Sequence, residues 1–266
     1  MNITHFHGNH HLGDTLIGLI VLYNAKQYFE NNNKTVYYYI RSEYIEQIND
    51  FKPIKGMKII DIHNKPPNSI ELWNCNDYMF EPNGKKNINS KIYSGLSQNK
   101  YYLNYFNIKL KNLNIPVTIN RFCYEDEDLF NRYENLHEKY KNIDILIINS
   151  EPLSKQFKYN EKNWNTGINF LSKKYKIVTT KKVSENILCT RDDNLKIKDI
   201  GAISIKVKVV IAINTGPIVA LYNKYTLMNV KKFYVFADNI YYSYPNFEMK
   251  KKLKDIPLEE LDYYIN

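Results

Sequence analysis

The sequence predicts an α/β protein built from two Rossmann-like β/α/β lobes facing each other across a cleft, and three observations lead there. Strand-like apolar runs alternate with helix-periodic segments along most of the chain. One run, Ile143-Asp144-Ile145-Leu146-Ile147-Ile148, is nearly continuous in apolar character, as a strand buried on both faces of a parallel sheet must be. The chain has 266 residues, 44% hydrophobic and 24% charged, enough for two cores of the usual ~100–150-residue size. The expected junction lies near residues 141–143, giving an N-terminal lobe over 1–142 and a C-terminal lobe over 143–266.

Taken in order, Ile3 to His7 reads as a short strand, followed by the turn-rich His7-Gly8-Asn9-His10-His11-Leu12-Gly13-Asp14. Leu16, Ile17, Ile20, Val21, Asn24 and Tyr28 then recur at helical spacing, and the helix should stop in Asn31-Asn32-Asn33. The β-branched and aromatic Thr35 to Ile40 reads as a second strand, and Met57 to Ile62 and Ser69 to Trp73 as two more across the turn Lys65-Pro66-Pro67-Asn68. Leu129, Tyr133, Leu136 and Tyr140 mark a surface helix within Glu125 to Tyr140. After the buried strand come a helix near Gly167 to Tyr175, strands Lys176 to Thr180 and Asn186 to Cys189, a helix near Ile197 to Ile205, a strand Val207 to Ile213 and a helix from Pro217 to Tyr225. Repeated β-α-β units imply parallel sheets that bind ligands at the carboxyl ends of their strands.

Composition narrows the functional classes. The apolar stretches Leu16 to Tyr23 and Val209 to Ile213 fall short of the roughly 20 residues a membrane span needs, so no transmembrane helix is expected. The N-terminus shows no basic region with a cleavage site, and Cys75, Cys123 and Cys189 show no C-x-x-C spacing. A cytoplasmic, reducing location without structural zinc is the expectation. Of the net charge of +9, a local excess of seven falls between residues 151 and 210, where thirteen Lys and Arg face six Asp and Glu. A basic lobe points to an anionic ligand. Nucleic acid is one candidate, but the lysines are spread through strand and helix patterns, without the arm or zinc-finger spacing of a nucleic-acid binder; a nucleotide or sugar nucleotide fits at least as well and is the partner expected, with no nucleic acid.

Three stretches can carry chemistry. Gly13-Asp14-Thr15 heads the first helix, where Asp14 and Thr15 can cap free amides, or where Asp14 can point into the cleft as a general base. Asn214-Thr215-Gly216-Pro217 joins the most apolar late strand to a helix, with Pro at the first helical position and Gly permitting close backbone approach. A helix start of that kind either binds a diphosphate or is only a tight turn. In Lys155 to Trp164, Lys155 or Lys158 can reach a phosphate or stay solvated, while Trp164 can pack the following helix. Four of the six histidines, His5, His7, His10 and His11, lie in the first eleven residues. They lack a Cys partner or an H-E-x-x-H helix, so no metal site is expected. Walker, G-x-G-x-x-G, G-x-S-x-G and kinase signatures are absent.

Together these stretches resemble the ADP-heptose lipopolysaccharide heptosyltransferase family of GT-B glycosyltransferases. Members open with a strand, a loop ending in Leu-Gly-Asp and an apolar helix, as do Leu12-Gly13-Asp14 and the helix after them here. Their second domain begins with a buried strand and a loop with lysine and a Lys-x-Trp or Lys-Trp element, which Ile145 to Trp164 looks like. Their late Asp-Thr-Gly-Pro is similar to Asn214-Thr215-Gly216-Pro217, with asparagine replacing the charged residue. The resemblance implies an inverting, metal-independent transfer of a sugar from a nucleotide-diphosphate donor, acting as co-substrate with no further cofactor, to a glycan or other hydroxyl acceptor. It implies Asp14 as the base, flanked by Gly13 and Thr15. Thr215 and Gly216, followed by Pro217, would cradle the diphosphate, Lys155 or Lys158 would be its cationic partner, and Asn214 would contact sugar or phosphate. A non-catalytic glycan- or nucleotide-binding protein of the same fold is the alternative.

Overall fold

The computed structural model describes residues 2–73, 98–153 and 157–236, with the side chains of 2 and 98–102 left aside. Two compact units divide between Tyr124 and Glu125, so the helix over 128–135 packs with the second unit rather than ahead of a junction at 142/143. Among the described residues each unit carries one all-parallel sheet.

In the first unit, β1 (Asn2–Gly8) lies centrally, flanked by β2 (Lys34–Ile40) and, on its other side, by the short β4 (Ile70–Glu71); β3 (Lys58–Asp61) pairs outside β2. Helix α1 (Leu12–Asn24) buries every residue from Thr15 to Leu22, the pattern of a helix enclosed on all sides. The expected single helix is two. Asn24 turns its amide back onto Ile20 O at 2.8 Å and across to Cys123 O at 2.9 Å, a side chain competing for the helical carbonyls. The chain resumes after Ala25 as α2 (Lys26–Asn31). Helices α3 (Ser42–Ile48) and α4 (Gln98–Asn112) were not anticipated from the sequence.

Fully buried Tyr38 fixes the start of α1, its hydroxyl donating to Thr15 O at 3.2 Å. Burial, and then the negative charges of Asp14 and Glu71, push its phenol pKa upward, so the hydroxyl stays a donor. Two glycines make room for it. A Cβ at Gly18 would lie 2.3 Å from the Tyr38 oxygen, and one at Gly8 2.7 Å. Because the ring is enclosed, Gly18→Ala is expected to cost about 1–3 kcal/mol by overpacking. Adding Tyr38→Phe, which deletes the clashing oxygen, should recover part of that loss in urea unfolding; a double variant no more stable than Gly18→Ala alone would show that the clash lies elsewhere.

In the second unit the strand order is β7 (Leu188–Cys189), β6 (Ile177–Thr179), β5 (Ile145–Ile148), β8 (Val209–Ile213), β9 (Lys232–Phe236). All four residues of β5 and all five of β8 are buried, as the continuous apolar runs required. The surface helix is α5 (Asp128–Asn135), followed by a 3-10 turn over Glu138–Tyr140. Helix α6 (Glu161–Leu171) starts six residues ahead of the expected position because Asn160 caps it, its side-chain oxygen accepting from Asn163 N at 3.1 Å. Trp164 thereby packs into the core against Phe157 and Phe236. Helix α7 (Ile197–Ser204) matches its expected span closely.

The helix expected from Pro217 to Tyr225 is also divided. Gly216–Leu221 forms a 3-10 helix, and α8 (Lys224–Asn229) begins anew beyond it. Fully buried Asn223 causes the break, accepting from Thr226 N at 2.7 Å as the cap of α8 while donating to Ala220 O at 3.2 Å. Cys123 and Cys189 are free thiols, and Cys75 lies outside the described residues. Among the described residues no helix is long and apolar enough to cross a membrane.

Candidate functional site

Both sheets have a topological switch point. In the first it lies between β1 and β4, and in the second between β5 and β8. Connections leaving neighbouring strands there run to opposite faces and leave a crevice at the carboxyl ends, where ligands of such folds bind. Asp14 follows β1, and Asn214 to Pro217 follow β8. Each group therefore stands at the switch point of its own unit.

Asp14 occupies the third position of α1, behind the cap residue His11, and no side-chain capping bond is made at that helix start. Asp14 is thus not the cap residue itself, but its charge stands in the first turn of α1, where it favours the helix dipole. Its carboxylate instead accepts a hydrogen bond from the indole N–H of Trp73, Nε1 to Oδ1, at 2.8 Å. Trp73 is 1% exposed whereas Asp14 is partly exposed. Half-buried Gly13 precedes Asp14, and buried Thr15 donates its hydroxyl to His11 O at 3.3 Å, so Thr15 holds the turn and is not turned outward.

The histidines do not converge. His5 Nδ1 meets the Tyr39 hydroxyl at 2.9 Å, His7 Nδ1 meets the Ser69 hydroxyl at 3.0 Å, and His10 Nε2 lies 3.3 Å from a Glu71 carboxylate oxygen. Burial holds the His7 pKa below its ordinary value, opposed by the charge of Glu71. Among the described residues no group of three or more His, Cys, Asp or Glu is placed to hold a metal ion. At this edge, sequence reasoning missed Trp73 and Glu71; the only signal for either was its position at the end of a short strand.

At the edge of the second sheet, Asn149 ends β5 as a fully buried hub. Its side-chain oxygen accepts from Thr180 N at 3.1 Å and Lys181 N at 2.8 Å, and its amide donates to Lys181 O at 2.9 Å. This locks the β5 and β6 exits together, a constraint that a lone asparagine after a strand does not disclose. Next to β5, Asn214 is 6% exposed and its backbone N–H donates to Phe236 O at 3.0 Å. Thr215, 9% exposed, is the cap residue of the 3-10 helix but makes no side-chain capping bond, and its buried Oγ1 has no hydrogen-bond partner among the described residues. Such an orphan calls for an explanation. Gly216 and Pro217 open the six-residue 3-10 helix, which is too short to add much dipole, so what this turn offers is its local N–H and hydroxyl groups.

Of the two candidate lysines, Lys158 is exposed in the loop before α6, and Lys155 lies outside the described residues. Lys181 pairs with Glu161 at 2.9 Å and lies over the ring of Tyr159. The Tyr159 hydroxyl is buried without a hydrogen-bond partner among the described residues, and desolvation, then Glu161 and Glu151, push its pKa up to about 12.

No family model matches the chain, and no curated protein is similar to it in sequence. Solved structures do match. The E. coli heptosyltransferase WaaC with ADP-2-deoxy-2-fluoro heptose superposes with a TM-score of 0.59 at 10% identity, over 99% of each chain. WaaC with ADP gives 0.57 at 11% identity, over 99% of this chain and 96% of that one. A family 9 glycosyl transferase from Veillonella parvula gives 0.51 at 11% identity, over 98% and 95%. The chain therefore shares the two-unit α/β fold of the heptosyltransferases.

Proposed function

We propose that this protein is a glycosyltransferase, moving a sugar from a nucleotide-diphosphate donor to a glycan or other hydroxyl acceptor with inversion and without a metal. The observation that carries this reading is the placement of Asp14 and of Asn214-Thr215-Gly216 at the switch points of their sheets, in a fold that WaaC also has with an ADP-sugar analogue bound. Asp14 takes the proton of the acceptor hydroxyl, which attacks the anomeric carbon on the face opposite the diphosphate. The bond to the diphosphate oxygen breaks as the new glycosidic bond forms. Negative charge then builds on the leaving group, where the backbone N–H of Gly216, the Thr215 hydroxyl and a lysine, Lys158 or Lys155, stabilise it. Asn214 offers an uncharged amide to sugar or phosphate where the similar family has a carboxylate.

The test is a thermal-shift panel of nucleoside diphosphates and their sugar conjugates on the full chain, followed by transfer assays with whichever binds. A ligand at 100 times its Kd stabilises the folded state by about 2.7 kcal/mol, a readily measured rise in Tm. No shift with any nucleotide sinks the proposal; a shift without transfer to any acceptor leaves a binding protein.

The orphan hydroxyl supplies a sharper expectation. Thr215→Val keeps the shape of the side chain and removes a buried oxygen that has no partner in the free protein. Stability without ligand should therefore hold or rise, by up to about 1–3 kcal/mol. Nucleotide diphosphate affinity should fall by about 1.5–3 kcal/mol, the worth of one hydrogen bond to a charged group. Calorimetry on both proteins decides it: unchanged affinity removes Thr215 from the donor site.

A further inference from the structure

Trp73 lies two residues beyond β4, 59 residues from Asp14 in sequence, yet its indole N–H points at the Asp14 carboxylate at 2.8 Å. The ring is 1% exposed and is wedged between two aromatic side chains of α4, edge-on to Tyr105 at 5.0 Å and tilted against Phe106 at 5.4 Å. Phe106 in turn stacks on Phe122 at 5.8 Å. An indole held on that side cannot swing, so its one polar atom has a fixed direction. The N–H has no acceptor role to play and can only donate.

Resting on the reading of Asp14 as the base, we propose that Trp73 is a positioning residue for the reaction. By engaging Oδ1 from the buried side it fixes the carboxylate plane and leaves Oδ2 as the oxygen that accepts the acceptor's proton. A carboxylate on the first turn of a helix, with no capping bond to hold it, otherwise rotates about two side-chain torsions. A base one ångström out of place loses much of its effect, so the restraint acts on the chemical step and not on binding.

The test compares wild type with Trp73→Phe, which keeps an aromatic ring and deletes the donor, and with site-specific 3-benzothienylalanine at position 73, in which sulfur replaces the N–H at nearly unchanged shape. Expected is a fall in kcat of about 10-fold or more, the rate equivalent of losing a hydrogen bond to a charged group, with acceptor and donor KM unchanged. In an Asp14→Asn background the same substitutions should add almost nothing, since they act through a base already removed. The isosteric variant keeps the test valid if Trp73→Phe unfolds. A full kcat for the folded isosteric variant overturns the proposal, as does a multiplicative loss in the Asp14→Asn background. If Asp14→Asn itself turns over normally, the base assignment has failed first, and the two failures are told apart by that single variant.

Discussion

Lys198→Met is expected to lower the stability of the second unit by about 3–5 kcal/mol. Lys198 belongs to α7 yet is only 5% exposed, and its ammonium lies 2.9 Å from carboxylate oxygens of both Asp126 and Asp128, just before and at the start of α5. The Asp126 side chain is 12% exposed in turn. Removing the lysine takes a counter-ion away from that largely buried carboxylate, which costs more than an exposed pair is worth. Next to it Asp199 accepts from Arg132 at 2.7 Å while capping α7 through Lys196 N at 2.7 Å, so α5 and α7 are joined by charges at two points. Denaturant unfolding of the full chain checks the size of the loss. Lys198→Met with Asp126→Leu should recover most of it, because the stranded charge is then gone. The difference between wild type and Lys198→Met also has a pH signature. The Lys198 ammonium, chiefly through its hydrogen bond, holds the Asp128 carboxyl below its ordinary 3.8. A carboxyl with a depressed folded pKa stabilises above its unfolded value and loses that contribution as pH falls through the folded one, so the gap should narrow in acid below pH 3.8.

What was readable in the sequence was local, and what was not was relational. The strand, loop and helix around Gly13-Asp14-Thr15 and around Asn214 to Pro217 could be read because each is a contiguous stretch with turn residues between apolar runs. The partner of Asp14 could not, because Trp73 reaches it only when β4 pairs beside β1. Helix breaks at Asn24 and Asn223 escaped because the apolar period runs on through them, and only the folded chain shows where those amides go, to the distant Cys123 O and to the local Ala220 O. Strand β9 alternates buried Phe233 and Val235 with half-exposed Lys232 and Tyr234, a pattern too short to stand out beside the continuous runs of β5 and β8. The excess of lysine was visible as a number, but its pairing was not: Lys181, Lys182 and Lys198 each meet a carboxylate, so bulk charge overstated the positive potential available to a ligand.

Asp14→Asn is expected to lower turnover by ~10²-fold or more with little loss of stability. The substitution suits the site unusually well. Asparagine keeps a side-chain oxygen that can go on accepting the Trp73 N–H now bonded to Oδ1, so the side chain stays where it is and only its capacity to take a proton is lost. Asp14 is not the cap residue but is the acidic residue of the first turn, so losing its charge should cost at most about 0.3–1 kcal/mol and Tm should stay close to wild type. Donor affinity should also be unaffected, because the residues proposed to hold the diphosphate belong to the other unit. Thermal shifts by nucleoside diphosphates then serve as an internal control that the protein is folded and loaded. Asp14→Glu extends the side chain by one methylene, carrying the carboxylate past the indole N–H, and should lose rate while retaining the charge. A loss in Asp14→Asn with intact nucleotide shifts assigns the base. Wild-type turnover in that variant at equal Tm would leave Asp14 as no more than the acceptor of a buried indole.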